Sequence, residues 1–91
     1  MPKKIFIMGA STGIGKALAL KYASQNVILG LAARRVELLE DVAGACRKSS
    51  AVTHIYKVDV TNEKDCSKSA NDFVNRAGGI DIVIANSGVG R

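Results

Sequence analysis

Three glycines within seven residues are the clearest sign of chemistry in this sequence: residues 9–15 read GASTGIG. They follow an apolar run at 5–8 and precede a run of good helix formers at 16–20. A glycine-rich turn from a strand into a helix leaves the first N–H groups of the helix facing outward at the positive end of its dipole, which favours phosphate. We therefore predict phosphate binding by these backbone N–H groups, the alternative being a tight turn without a ligand.

A P-loop is a second kind of phosphate-binding turn, and it does not fit. It requires GxxxxGK followed by Ser or Thr. Here Gly15-Lys16 is followed by Ala17, and position 10 is alanine rather than glycine.

The rest of the chain alternates between apolar runs and segments with helical periodicity. We predict β-α-β-α-β-α-β, with parallel strands as in a Rossmann-type doubly wound α/β sheet of order 3-2-1-4. The predicted strands are 5–8, 27–33, 52–58 and 80–85, and the predicted helices are 14–24, 36–48 and a third capped by Thr61 or Asn62 and ended by Gly78-Gly79.

Two details of this pattern predict where surfaces lie. The third strand is more polar than the others, which suits a sheet edge. Helical spacing in the first helix predicts an apolar face of Ile14, Ala17, Leu18 and Tyr22.

The fourth strand would be an apolar edge with nothing beside it, which invites aggregation. We therefore expect residues 1–91 to be the N-terminal portion of a single, truncated domain.

Composition narrows the protein class. The chain has 91 residues, 47% of them hydrophobic, and no apolar run near the roughly 18 residues that span a bilayer. It lacks a secretory signal pattern, so we expect a cytoplasmic protein without a membrane partner. Cys46 and Cys66 have no CxxC spacing and His54 is the single histidine, so we expect free thiols on helix faces and no metal site. The net charge of +5 is scattered without interleaved aromatics, which disfavours a nucleic-acid partner.

Four stretches, in order, resemble the short-chain dehydrogenase/reductase family. They are the GxxxGxG spacing of 9–15, AARR at 32–35, Asp59-Val60, and ANSG at 85–88. Two departures are mild: the family usually has Thr where this chain has Met8, and its last motif is usually Asn-Asn-Ala-Gly or Ala-Asn-Ala-Gly, from which Ser87 departs. The resemblance covers essentially the whole chain.

The end of the second strand indicates which dinucleotide is bound. In such folds an acidic residue there binds the ribose hydroxyls of NAD, whereas an arginine accommodates a 2′-phosphate. The slot for the acid holds Ala33, followed by Arg34 and Arg35, and no acidic residue lies between Lys16 and Val36. Guanidinium groups bind phosphate by charge-assisted hydrogen bonds, so we predict NADP(H). Alternatively, both arginines only occupy the exposed start of a helix, although they oppose its dipole there.

The resemblance implies roles for individual residues. Ser11 and Thr12 would contact the adenosine phosphates, Ile14 the pyrophosphate and nicotinamide through its backbone, and Asp59 with Val60 the adenine. Asp59 has an alternative role in forming the turn before the next helix. The predicted cofactor-binding residues are Gly9, Ser11, Thr12, Gly13, Ile14, Gly15, Arg34, Arg35, Asp59, Val60, Asn86, Ser87 and Gly88.

No catalytic residue is predicted within the chain. The family uses a Ser and a Tyr-x-x-x-Lys, whereas Tyr22 is followed four residues later by Asn26 and Tyr56 by Val60. We expect the catalytic segments to follow residue 91 and the chain alone to be inactive.

Three functions are compatible with a chain of this pattern, and the third of them is disfavoured. The first is an NADP(H)-dependent short-chain oxidoreductase that interconverts an alcohol and a carbonyl by hydride transfer; the resemblance implies a homo-oligomer. The second is a non-catalytic nucleotide-binding or interaction module, completed by a partner chain at the fourth strand. The third, a sugar-nucleotide epimerase, is disfavoured because those enzymes use GxxGxxG spacing.

Overall fold

The structure is a computed structural model that describes residues 2–11, 13–59 and 61–85. Every predicted helix and strand is present in the predicted order. Their bounds are β1 Lys3–Met8, α1 Gly13–Ala23, β2 Val27–Ala33, α2 Val36–Lys48, β3 Val52–Lys57, α3 Glu63–Ala77 and β4 Ile82–Ala85.

The strands form one parallel sheet in the order β3-β2-β1-β4, which confirms the predicted topology. Ile5 of β1 pairs with Leu29 of β2 on one side and with Ile82 of β4 on the other. The inner strand β2 is almost wholly buried, whereas β3 has an exposed edge as predicted. Apolar strands in the middle and a polar strand outside are what a sheet covered on both faces requires.

Alternate residues of the strands face two separate cores. Ile5 and Ile7 of β1 lie in the core under α1 and α2, whereas Phe6 between them lies in the core under α3. The two helices on the first face touch closely enough for the Cys46 thiol of α2 to donate a hydrogen bond of 3.6 Å to the Ala19 carbonyl of α1. Cys46 is buried and Cys66 of α3 is half-buried, and both lie on helices, as predicted.

The predicted apolar face of α1 is correct only in part. Leu18 and Tyr22 are half-buried and pack against the core under α1 and α2, whereas Ile14 and Ala17 are exposed. The fully buried side of the helix is the small-residue stripe, which we define as Gly15, Ala19 and Ala23. These residues are four apart and so share one side of the helix, and their small size lets α1 lie close to the sheet. Side-chain size as well as hydrophobicity therefore decides how this helix is oriented.

A second close contact lies in the middle of β2. A Cβ at Gly30 would lie 2.6 Å from ring carbons of both Phe6 and Phe73. The two rings fill that space themselves, with centroids 5.4 Å apart. Gly30 therefore makes room for Phe73 of α3 to pack onto the sheet.

Helix α3 has the two ends that the sequence predicted. The Asn62 side chain caps it by accepting a hydrogen bond of 3.1 Å from the Asp65 N–H, which decides between Thr61 and Asn62. At the other end Gly78 has a φ of 88°, and its N–H donates to the Val74 carbonyl at 2.8 Å.

Arg47 of α2 covers part of the β3 edge. The Val58 N–H donates to the Ala33 carbonyl of β2, and the direction of the backbone N–H and C=O groups alternates along a strand. Because Thr53 lies an odd number of residues before Val58, its backbone groups face outward, away from β2. The Arg47 guanidinium donates to the Thr53 carbonyl at 2.8 Å. A charged side chain on an outward carbonyl is a common protection against strand addition.

None of the helices within the described residues combines the length and the apolar character that crossing a membrane demands.

Candidate functional site

The loops that carry the predicted site follow β1, β2 and β3 and lie together at the carboxyl ends of these parallel strands. Open α/β sheets bind ligands at the carboxyl ends of their strands. The structure describes eight of the predicted residues: Gly9, Ser11, Gly13, Ile14, Gly15, Arg34, Arg35 and Asp59. The other five, Thr12, Val60, Asn86, Ser87 and Gly88, lie outside the described residues.

Two successive carbonyl groups at the end of β2 hold these loops together. The Ala32 carbonyl accepts from the Gly9 N–H at 2.7 Å and from the Ala10 N–H at 3.2 Å. The next carbonyl, of Ala33, accepts from the Val58 N–H at 2.9 Å. The loop after β1 and the start of the loop after β3 are therefore both fastened to β2.

The three glycines of 9–15 meet different steric demands. Gly9 and Gly13 have φ values of 78° and 60°, where residues with a side chain are rarely found. Around Gly13 a Cβ would meet nothing within 4 Å, so its backbone angle is what requires glycine. At Gly15 a Cβ would overlap the carbonyl oxygen of Gly9, so this position needs glycine for close packing of helix on loop.

The N-terminus of α1 opens towards solvent beside the glycine loop. Ile14 is 70% exposed, more than any other large hydrophobic residue in the described ranges. The first turn of α1 carries no acidic side chain that would neutralise the helix dipole. An exposed apolar side chain at a helix N-terminus suits contact with a ligand that is partly phosphate and partly apolar.

Arg35 has a structural partner, which the sequence analysis did not foresee. It occupies the N-cap of α2, and its Nε lies 2.9 Å from Oε1 of Glu37. The pKa of Glu37 is lowered, first by a hydrogen bond from its own backbone and then by Arg35. This ion pair supports the alternative interpretation of Arg35, in which its side chain only occupies the exposed start of α2.

Arg34 differs from its neighbour. It is exposed, and within the described residues its guanidinium forms no ion pair. Its positive charge contributes to the lowered pKa of Asp59 across the loops. Arg34 therefore presents a cation to the space between the ends of β2 and β3.

Asp59 forms the turn before α3, which is the alternative to the adenine-binding role that the resemblance implies. Its Oδ1 accepts from the Thr61 N–H at 3.0 Å and from the Thr61 hydroxyl at 2.6 Å. These two hydrogen bonds are the main reason why the pKa of Asp59 is lowered. Below it, the Cys66 thiol donates to the Asp59 carbonyl at 3.9 Å. The carboxylate is thus ionised and held in place at the end of β3.

A cavity of about 340 Å³ lies between the ends of β2 and β3. Arg34, Lys57, Val58, Asp59 and Asp65 line it. Lys57 could not be recognised as a site residue in the sequence, because only the sheet register shows that it pairs with Ala33. In the sequence it appears only as a polar interruption of the third strand.

A larger cavity of about 620 Å³ lies between β3 and α3 and contains none of the predicted residues. Among its lining residues, the Tyr56 hydroxyl donates to Asp72 at 2.7 Å, and Arg76 contacts the same carboxylate oxygen at 2.8 Å. Groups that already satisfy one another indicate a structural role here. No group of three or more potential metal ligands occurs in the described parts of the chain.

Known proteins are similar to this chain in sequence and in fold. A curated oxidoreductase of Listeria monocytogenes, itself called uncharacterized, is 41% identical over 87 residues; the match covers 96% of this chain and 35% of that protein. Two solved structures are similar over about nine tenths of the chain. An alcohol dehydrogenase from the archaeon Thermococcus sibiricus, complexed with 5-hydroxy-NADP, has a TM-score of 0.85 and 30% identity, with 91% of this chain and 36% of that one covered. An NADH-dependent reductase complexed with NAD has a TM-score of 0.77 and 29% identity, with 92% and 35% covered.

The chain thus spans about a third of the length of the proteins it matches. A sequence model of the family described as short chain dehydrogenase matches residues 3–91. That match includes the glycine loop, the arginines after β2 and Asp59, and the sheet has the 3-2-1-4 order predicted from the alternation of strands and helices. The chain belongs to the short-chain dehydrogenase family.

Proposed function

We propose that this protein is an NADP(H)-dependent oxidoreductase that interconverts an alcohol and a carbonyl, and that residues 1–91 hold the cofactor. The cofactor supplies the hydride, and the residues of this chain bind and orient it. All thirteen predicted cofactor-binding residues remain part of this proposal, including the five outside the described ranges.

The choice of NADP(H) depends on the end of β2. Ala33 is 4% exposed and cannot bind ribose hydroxyls, and the exposed Arg34 follows it directly. Similar structures hold either NADP-type or NAD cofactors, so similarity alone does not choose between them. A guanidinium next to a slot without a carboxylate favours a 2′-phosphate over bare hydroxyls.

The phosphate end of the proposed site is the glycine loop. The exposed N-terminus of α1 offers backbone N–H groups and a positive dipole to the pyrophosphate. Gly15 brings that N-terminus close to the end of β1, and the positive φ values of Gly9 and Gly13 shape the loop. These backbone features are the same for NAD and NADP, so they support dinucleotide binding but not its specificity.

Binding of the two cofactors to Arg34→Ala tests the specificity. In protein expressed from the complete reading frame, we expect calorimetry to show NADPH binding weakened by about 1–3 kcal/mol, the scale of a lost charged hydrogen bond. NADH binding should be nearly unchanged. Arg76→Ala on α3 is a control that removes the same charge away from the site. Equal loss for both cofactors in Arg34→Ala would mean that Arg34 does not bind the phosphate.

A separate assay tests the reaction. NADPH oxidation is followed at its near-ultraviolet absorbance with a panel of aliphatic and cyclic ketones, and NADP⁺ reduction with the matching alcohols. Turnover with any pair supports the proposed oxidoreductase. Tight NADPH binding without turnover on the panel would favour the non-catalytic module instead.

A further inference from the structure

Lys57 lies beside the ribose slot in the sheet. It is the last residue of β3 and pairs with Ala33, the last residue of β2. Neighbouring strands are about 4.8 Å apart, and paired residues project their side chains on the same face of the sheet. The lysine stem therefore stands next to the small Ala33 side chain, where related folds place a ribose-binding acid.

Lys57 and Arg34 also line the same cavity of about 340 Å³ at the ends of β2 and β3. Three carboxylates surround this region. Glu37 is paired with Arg35, and Asp59 accepts two hydrogen bonds from Thr61, whereas Asp65 is at the start of α3. Lys57 also contributes to the lowered pKa of Glu37, so its charge reaches the start of α2.

We propose that Lys57 is a second determinant of 2′-phosphate specificity, acting together with Arg34 from the opposite strand. The inference rests on the proposed NADP(H) function and adds a residue to it. The two cations differ in kind: the guanidinium is a planar fork, and the ammonium is a compact charge on a flexible stem. Lys57 reaches the phosphate from the β3 side of the cavity, while Arg34 reaches it from the start of α2.

The test compares three variants of the protein expressed from its complete reading frame, with NADPH and NADH as probes. For Lys57→Gln, we expect the Kd of NADPH to rise about tenfold, the effect of losing one charge-assisted contact, and that of NADH to stay the same. Lys57→Arg keeps the charge and should retain most of the preference. Lys48→Gln is the matched control, because Lys48 is exposed at the other end of α2 and the charge change is identical.

The outcomes separate this inference from the proposed function. If the unmodified protein binds NADH more tightly than NADPH, both are overturned. If Arg34→Ala loses NADPH preference and Lys57→Gln keeps it, only the role of Lys57 is overturned. Equal weakening of both cofactors in Lys57→Gln, or the same tenfold effect in Lys48→Gln, also overturns it, because the effect would then not depend on the 2′-phosphate.

Discussion

Gly15 of α1 packs directly against the carbonyl group of Gly9, so that a Cβ on Gly15 would lie 2.9 Å from the Gly9 carbonyl carbon and closer still to its oxygen. The obstacle is backbone, which cannot rotate away as a flexible side chain would. The helix N-terminus and the end of β1 are therefore kept at their present distance by the absence of one methyl group.

We expect Gly15→Ala to lower the free energy of unfolding by about 1–3 kcal/mol, the usual cost of overpacking. The substitution should also weaken the binding of NADPH and of NADH to the same extent. Both effects follow because α1 must move away from the loop. Urea denaturation and calorimetric titration measure them.

Gly44→Ala is the control for that substitution. Gly44 is inside α2, and a Cβ there would meet nothing within 4 Å. Replacing an unconstrained helical glycine by alanine should raise the free energy of unfolding by about 0.5–1 kcal/mol. If Gly15→Ala is as stable as Gly44→Ala, the contact with Gly9 does not restrict the position.

Gly30→Ala should destabilise the sheet core for a different reason. Its Cβ would lie 2.6 Å from the rings of Phe6 and Phe73, both fully buried, and we expect a loss of about 1–3 kcal/mol. Phe73→Leu costs stability alone because it leaves space above β2. In the double variant the new methyl group occupies part of that space. The free energy of unfolding should therefore fall by less than the sum of the two single losses. Strict additivity in a double-mutant cycle would contradict this explanation.

His54 should make stability depend on pH. Burial lowers its pKa below the ordinary 6.5; nearby Arg76 and Arg47 lower it further, and Asp72 opposes them. The unfolded chain then binds a proton at higher pH than the folded chain does, so the free energy of unfolding falls as the pH drops through 6.5. His54 is the single histidine, so His54→Gln should remove most of this dependence between about pH 7.5 and 5.5, above the range of ordinary carboxylates.

An NMR titration of the His54 ring measures this pKa directly. Arg76→Gln removes one of the cations and should raise the pKa, whereas Lys48→Gln should leave it unchanged. A His54 pKa above 6.5 in the unmodified protein would refute the prediction.

The elements and their order could be predicted from the sequence because strands, helices and caps leave local signals. Gly78 ends α3 as expected, and the polar third strand lies at the edge. The face of α1 could be predicted only in part from hydrophobicity. Leu18 and Tyr22 pack against the core, but Ile14 is exposed. The fully buried positions hold Gly15, Ala19 and Ala23, whose small size a hydrophobic pattern does not reveal.

The site was predictable in part for a similar reason. The glycine loop and the arginines after β2 are contiguous motifs, so they can be recognised without knowing the fold. The pairing of Lys57 with Ala33 joins residues distant in sequence, and it depends on strand register, which the sequence does not state. The Arg35–Glu37 pair is local, but its formation depends on where α2 begins.

The two carbonyl groups at the end of β2 act as a spacer. Ala32 fastens the loop after β1 and Ala33 fastens the chain that leads to Asp59, and these two residues are consecutive. Their carbonyl groups belong to adjacent rigid peptide units that join at the Cα of Ala33. The offset between the two attachment points consequently depends on the φ and ψ angles of this one strand residue, about 3.3 Å of advance along the strand. A substitution that moves the end of β2 would displace both loops together and would preserve their spacing.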